Sequence, residues 1–265
     1  MLNLNQILEQ GYYDLHIHTT ASDGAYSPKE IVQKAFKLGL KTTAITDHDS
    51  IQGVNEAQQT GHELGIRVIA GVELSTKYKG KSIDVLGYNF SLDNKELNNR
   101  LASLSEGREG RALRIINKFV DLGMPISLAD VKKFSGDGNI GRPHIAKAIV
   151  AKGYIKDLQT VFDKFLSDGK PAAIDKIIIS PQEGINLIHK AGGIAVIAHP
   201  GLIDDDMLVH ELMQFDFDGI EVWHRKHTKE DCERYLQIAE EYGLIMTGGS
   251  DFHNDEHELG QFFYK

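Results

Sequence analysis

The sequence predicts an α/β fold on a parallel sheet, open or closed into a barrel. Three observations carry this. Apolar runs of strand length alternate with helical patterns toward both ends of the chain. The helix-starting pattern Ser-Pro-x-Glu occurs twice, at 27–30 and 180–183, each time ahead of a helical periodicity. Strand after strand ends in His, Asp or Glu, and in parallel α/β folds those ends share one face.

The first strand falls near 12–18, in "YDLHIHTTASDG". Tyr13, Leu15 and Ile17 alternate with Asp14, His16 and His18. Side chains two apart on a strand point the same way, so His16 and His18 project together. In "SPKEIVQKAFKLG", Ser27 caps a helix, Pro28 takes its first position, Glu30 completes the capping box and Gly39 ends it. Next come the short strand "TTAIT", a polar helix over about 51–64, and the strands "RVIAGVELS" and "SIDVLGYNF".

From about 95 to 170 the chain reads helical with no strong strand, through "LASLSEGREGRALRIINKFVDLG", "SLADVKKF", "GRPHIAKAIVAKG" and "LQTVFDKFLSDG". This predicts a barrel formed by 1–97 and 171–265, interrupted by a helical insertion, 98–170. Alternation then resumes. The order is a helix in "SPQEGINLIHKAGG", the strand "IAVIAHPG", a helix near 206–215, the strand "DGIEVWH", the helix "TKEDCERYLQIAEEYG" and the strand "LIMTGGSDFH".

Composition narrows the function. A chain of 265 residues with 41% hydrophobic content can bury one sizeable core plus a small inserted unit. A net charge of -9 argues against tight binding to duplex DNA, which requires many phosphates to be neutralised. It leaves room for a small anionic substrate, because bound cations reverse the local field. The single cysteine, Cys232, cannot form an intramolecular disulfide and suits a reducing, cytoplasmic setting. "MLNLNQILEQ" lacks the basic start and apolar run of a signal peptide, and no stretch reaches membrane-spanning length.

The strand ends define the chemistry. "AITDHDS" ends with Asp47, His48 and Asp49, "AGVELS" carries Glu73, and "IAVIAHPG" carries His199. "EVWHRKH" carries His224 and His227, and "GGSDFH" carries Asp251 and His253. Imidazoles and carboxylates without thiolates suit Zn, Mn or Fe. They outnumber the ligands of one ion, which points to two or three divalent ions sharing a bridging carboxylate, with neighbours about 3.5–4 Å apart. Asp14 is expected to orient a ligand imidazole, and Asp47 and Asp49 to cap a helix or support the ligands. His224 fits both site lining and strand-end packing.

Taken together, "DLHIHTTASDG", "AITDHDS", "GVELS", "LGY", "AHPG" and "GSDFH" resemble the signature segments of the PHP (polymerase and histidinol phosphatase) superfamily. The resemblance implies a distorted (β/α)7 barrel with a two- or three-metal site at the strand C-termini. It implies a first ion on His16, His18, Glu73 and Asp251, and a second bridged by Glu73 and bound by His199. It puts a third on Asp23, His48 and His253. Where the family usually supplies another histidine to the second ion, this chain has Asp84, a carboxylate in its place. His227 matches a ligand or near-ligand of some members, and His199 or His227 is expected to assist proton transfer to the leaving group.

Within the insertion, "GRPHIA" and "DGKPA" resemble the branch that contains nucleoside 3',5'-bisphosphate phosphatases and a 5'-to-3' exoribonuclease. Arg142, His144 and Lys170 are the expected substrate-binding residues. Pro143 at a helix start leaves backbone N–H groups to meet an anion. The expected activity is metal-dependent hydrolysis of a small nucleotide or the 5' end of a short oligonucleotide, through a hydroxide bridging the ions. Its rivals are a histidinol-phosphate phosphatase and a non-catalytic metal-binding domain like those attached to replicative polymerases.

Overall fold

A computed structural model describes residues 12–136, 140–167, 169–174 and 178–262, with the side chain of residue 108 excepted. The segment "MLNLNQILEQ" and parts of the expected insertion lie outside the described residues.

Seven strands form one sheet in sequence order: β1 (Tyr13–Asp14), β2 (Thr42–Ile45), β3 (Arg67–Tyr78), β4 (Lys81–Tyr88), β5 (Ile194–Ile197), β6 (Gly219–His224) and β7 (Ile245–Gly249). The ends of the sheet meet. Leu15 N–H donates to the Gly248 carbonyl at 3.3 Å, and His18 N–H to the Phe252 carbonyl at 2.9 Å. The result is a nearly closed, distorted barrel. Its interior is filled by Leu15, Ala44, Ile69, Leu86, Tyr88, Val196 and Ala198.

The expected all-parallel sheet is corrected at one strand. β1 to β3 run parallel, as do β5 to β7, but β4 is antiparallel to both β3 and β5. Only Lys79 and Gly80 separate β3 from β4, too few residues for a crossover helix. Both have positive φ, 47° and 85°, the backbone of the tight turn whose twist suits a hairpin. The ladder of β1 is also shorter than the strand expected near 12–18. Beyond Asp14 the chain pairs point by point with its two neighbours, as at Ile17, which bridges Phe252.

The outer helices are α1 (Pro28–Lys37), α2 (Val54–Leu64), α7 (Pro181–Lys190), α8 (Asp206–Leu212) and α9 (Lys229–Tyr242). Both Ser-Pro-x-Glu segments form full capping boxes, at Ser27 and Ser180. Between β4 and α7 lie α3 (Lys95–Asp121), α4 (Leu128–Ser135), α5 (Arg142–Ala151) and α6 (Leu158–Val161). This helical segment has its own core, including Ile115, Phe119, Val131, Ile145, Ile149 and Leu166. Fully burying a side chain such as Phe119 stabilises it by about 1.5–3 kcal/mol. α3 is about 40 Å long at 1.5 Å per residue. It starts on the barrel's core through Leu97, Leu101 and Leu104 and ends on the insertion's. Among the described residues no helix is long and apolar enough to cross a membrane.

Candidate metal centre

The strand C-termini converge at one end of the barrel. His16 and His18 are fully buried, with ring centroids 5.3 Å apart, so the alternation of the first strand does put both imidazoles into one space. Gly249 makes this possible. A Cβ there would come 2.3 Å from the His16 Cβ, so β7 can approach this strand only without a side chain.

Glu73 is the hub. Its Oε2 lies 3.4 Å from His16 Nε2, 3.3 Å from His18 Nε2 and 3.0 Å from His48 Nδ1, and its Oε1 lies 2.9 Å from His199 Nε2. Asp251 is the second meeting point, with Oδ1 at 3.3 Å from His18 Nε2, 3.7 Å from His16 Nε2 and 3.4 Å from His253 Nδ1. Asp23 Oδ1 approaches His253 Nε2 at 3.4 Å and His18 Nδ1 at 3.7 Å.

Three groups have one ligand atom per residue within 4.8 Å of each other: His16, Glu73 and His199; His16, His18 and Asp251; and His18, Asp23, His48 and His253. His16 Nε2, both ring nitrogens of His18 and Glu73 Oε2 are buried and make no hydrogen bond. A buried polar atom left so costs about 1–3 kcal/mol. Four of them converging in one space, all nitrogen or carboxylate oxygen, fit divalent cations.

The electrostatics agree. Burial alone would disfavour a charged imidazole at His18, but Asp251 and Glu73 outweigh it and push the pKa up to about 10. At His199 burial is likewise overcome, by Glu73 first and Asp84 next, which push it up to about 9. Burial would raise the carboxyl of Glu73, yet His48 and His16 hold it well below the usual range. This is a field that attracts positive charge, whether protons or metal ions. Two candidate ligands also sit on strained backbone. His199 has φ 26° and Asp251 φ 50°, conformations that cost of order 1–3 kcal/mol and cluster at functional sites.

The supporting acids divide the work differently from expectation. Asp14 orients no imidazole; its carboxylate accepts from backbone N–H groups of His16, Ser250 and Gly260 and from the Ser250 hydroxyl. It ties the first strand to the turn after β7, because a fully buried carboxylate takes the nearest donors, and here those are the Ser250 hydroxyl and three backbone N–H groups. Burial pushes its pKa up to about 6. Asp47 accepts from Thr19 N–H at 2.7 Å, Thr19 Oγ1 at 2.7 Å and Ser22 Oγ at 2.6 Å, fixing the loop that carries Asp23. Asp49 accepts from Ser75 N–H. Neither caps α2, whose N-cap is Gly53.

Two residues of the centre were not anticipated from sequence. Glu221, fully buried in β6, has Oε1 3.0 Å from His16 Nδ1 and accepts the His199 N–H on Oε2 at 2.7 Å. Its signal was a lone acid between Ile220 and Val222 inside an otherwise apolar strand. Arg225 donates to Asp251 Oδ2 at 2.9 Å and to the Ser250 carbonyl at 2.7 Å; nothing in its local sequence marks it.

The remaining expected residues lie outside these groups. Asp84 Oδ2 is 3.9 Å from His199 Nε2, outside the three groups. His224 is buried at the edge, its Nε2 3.4 Å from Asp251 Oδ2. His227 is not brought into the cluster: its Nδ1 donates to the Val222 carbonyl at 2.8 Å and its Nε2 accepts from Gly201 N–H at 3.2 Å. Arg142 donates to the Leu166 carbonyl at 3.0 Å. His144 is buried, with Nδ1 accepting from Gly141 N–H at the start of α5. It lines a cavity of about 340 Å³ between the insertion and the barrel, with Phe134, Thr20, Ser22 and Gln52. Lys170 is exposed in a turn.

Comparison with known proteins places these features in context. Residues 14–164 match the family model described as the PHP domain. The chain is 36% identical over 246 residues to a 5'-3' exoribonuclease of Haemophilus influenzae, covering 91% of this chain and 89% of that one. It is 33% identical to a 3',5'-nucleoside bisphosphate phosphatase of Chromobacterium violaceum, with 91% and 86% covered. A solved structure from Bifidobacterium adolescentis, provisionally named a metal-dependent phosphoesterase, superposes with a TM-score of 0.85 at 31% identity, over 96% of this chain and 92% of that one.

Proposed function

The chain belongs to the PHP domain family and is a metal-dependent phosphoesterase, and from that premise we propose that it removes phosphate from a small nucleotide. The substrate is a nucleoside 3',5'-bisphosphate or the 5' end of a short oligonucleotide. One observation carries the reading. Three His–carboxylate groups gather around Glu73, which approaches His16, His18, His48 and His199, and the loop carrying Asp23 lines, through Ser22 and Gly24, a cavity that Phe134 and His144 close from the helical segment.

In this reading His16, His18, Glu73 and Asp251 hold one ion. Glu73 and His199, with Asp84 beside them, hold a second, and Asp23, His48 and His253 a third. Bound there, such ions supply a nucleophilic hydroxide at neutral pH and neutralise phosphoryl charge. The protein's part is to hold the ligands rigid and to orient the phosphate. His199 Nε2 is committed to the ion in this reading, so the departing oxygen takes its proton from solvent at the partly exposed edge of the cluster. His227 has both ring nitrogens engaged and serves to brace the turn at Gly201. Arg142, His144 and Lys170 on the insertion side recognise the part of the substrate that is not cleaved.

The names of the Haemophilus and Chromobacterium relatives support a nucleotide substrate. The test is phosphate or nucleotide release by Mn²⁺-loaded protein from adenosine 3',5'-bisphosphate, a 5'-phosphorylated RNA trinucleotide and histidinol phosphate. Turnover of either nucleotide substrate is expected. Turnover of histidinol phosphate alone, or of none of the three, overturns the proposal.

A further inference from the structure

Glu221 stands inside β6 with Ile220 and Val222 on either side, all three buried. A carboxylate at such a position costs several kcal/mol unless each oxygen finds a partner. Both do. Oε1 meets His16 Nδ1 at 3.0 Å, and Oε2 accepts the backbone N–H of His199 at 2.7 Å. The two rings are stacked, with centroids 5.6 Å apart and planes 21° from parallel.

We propose that Glu221 is a positioning residue that sets the two ligand groups containing His16 as a unit. The inference rests on the metal-binding reading above. An ionised carboxylate can only accept, so His16 must carry its proton on Nδ1. That leaves Nε2, which faces Glu73 and Asp251, as the nitrogen that can take an ion. The same carboxylate restrains His199 in its left-handed backbone, with φ 26°, and from there Nε2 reaches Glu73 Oε1 at 2.9 Å. One buried acid thus fixes the ring of one histidine and the backbone of another. The remaining group shares His18 with one of these, but its other members are placed independently of Glu221: Asp23 sits on the loop anchored by Asp47, and His48 and His253 follow β2 and β7.

The experiment compares wild-type protein with E221Q, each stripped with chelator and reloaded with Mn²⁺, by equilibrium dialysis with elemental analysis. The carboxamide keeps the shape but supplies one acceptor where two are needed. Ions on the His16 groups are expected to weaken roughly 10–100-fold, the usual cost of losing a residue that orients a ligand. The ion on Asp23, His48 and His253 is expected to stay. Unchanged affinities throughout, or equal loosening of every ion, overturn the proposal; the second is what a merely structural role would give. If E221Q does not fold, nitrogen NMR of histidines in Zn²⁺-loaded wild-type protein decides. His16 ligating through Nε2 with a protonated Nδ1 supports the proposal, and ligation through Nδ1 overturns it. Wild-type protein that binds less than one ion per chain sinks the metal-binding reading itself, whereas firm wild-type binding with an unaffected E221Q sinks only this inference.

Discussion

Arg225 meets the Asp251 oxygen that is turned away from His16, His18 and His253. Its Nη2 lies 2.9 Å from Asp251 Oδ2, while Asp251 Oδ1 faces His18 Nε2 at 3.3 Å. The guanidinium also holds the Ser250 carbonyl, so it grips both the side chain and the backbone of the strained turn. R225Q is expected to destabilise the metal-free protein by about 2–3 kcal/mol, somewhat below the cost of breaking a fully buried pair. It is also expected to loosen the ion on His16, His18 and Asp251. Denaturant unfolding in chelator and metal titration measure the two effects; a variant as stable as wild type would show that the turn holds itself.

Asp47 governs a different part of the centre. Its three short hydrogen bonds to Thr19 and Ser22 fix the loop that delivers Asp23. Hydrogen bonds to a charged group are worth about 1.5–3 kcal/mol each. D47A is expected to release the ion on Asp23, His48 and His253 while those on the His16 groups persist. Elemental analysis of dialysed protein reads this directly, and loss of all ions together would contradict it.

These cases show where the sequence was informative. The ligand types were legible because they interrupt apolar strands at their ends, as at His199 and Asp251, and alternation alone put His16 and His18 on one face. The Ser27 and Ser180 helix starts were legible because capping is local chemistry. The antiparallel course of β4 depends on a two-residue turn, Lys79–Gly80, that lacks the usual Asn-Gly signature. Arg225 was silent for another reason. Its partner is 26 residues away and meets it only once β6 and β7 lie side by side. Asp14 is expected to orient an imidazole, yet in space its donors are the Ser250 hydroxyl and backbone groups far along the chain, which no local pattern announces.

The imidazole–carboxylate field also fixes a pH dependence. In metal-free protein His18 is pushed up to about 10 and His199 to about 9, both above the ordinary 6.5. A histidine pKa raised by folding contributes stability that is complete below about 6.5 and lost as pH rises through the folded value. Metal-free protein should therefore lose stability progressively as pH rises above about 6.5. Ions replace the protons, so affinity should rise over the same window, by roughly ten-fold per pH unit for each proton displaced. Thermal unfolding with chelator and with Mn²⁺ from about pH 6 to about pH 8.5 should show a widening gap. A gap that stays constant would mean that binding displaces no protons.

Asp84 places a carboxylate beside the His16, Glu73 and His199 group, and it bears on metal choice. Its carboxylate lies 3.9 Å from His199 Nε2 and helps to raise that histidine's pKa. A carboxylate favours harder ions such as Mn²⁺, and an imidazole favours Zn²⁺. D84H replaces an anionic oxygen donor with a neutral nitrogen donor beside the His16, Glu73 and His199 group. It is expected to shift the ratio of Zn²⁺ to Mn²⁺ affinity there toward Zn²⁺ by on the order of ten-fold, the low end of what a ligand's partner controls. Competition dialysis with both ions checks this against D84N, which removes the charge and adds no imidazole. If D84N shifts the ratio as far as D84H, charge rather than ligand type sets the preference, and Asp84 acts from outside the coordination shell.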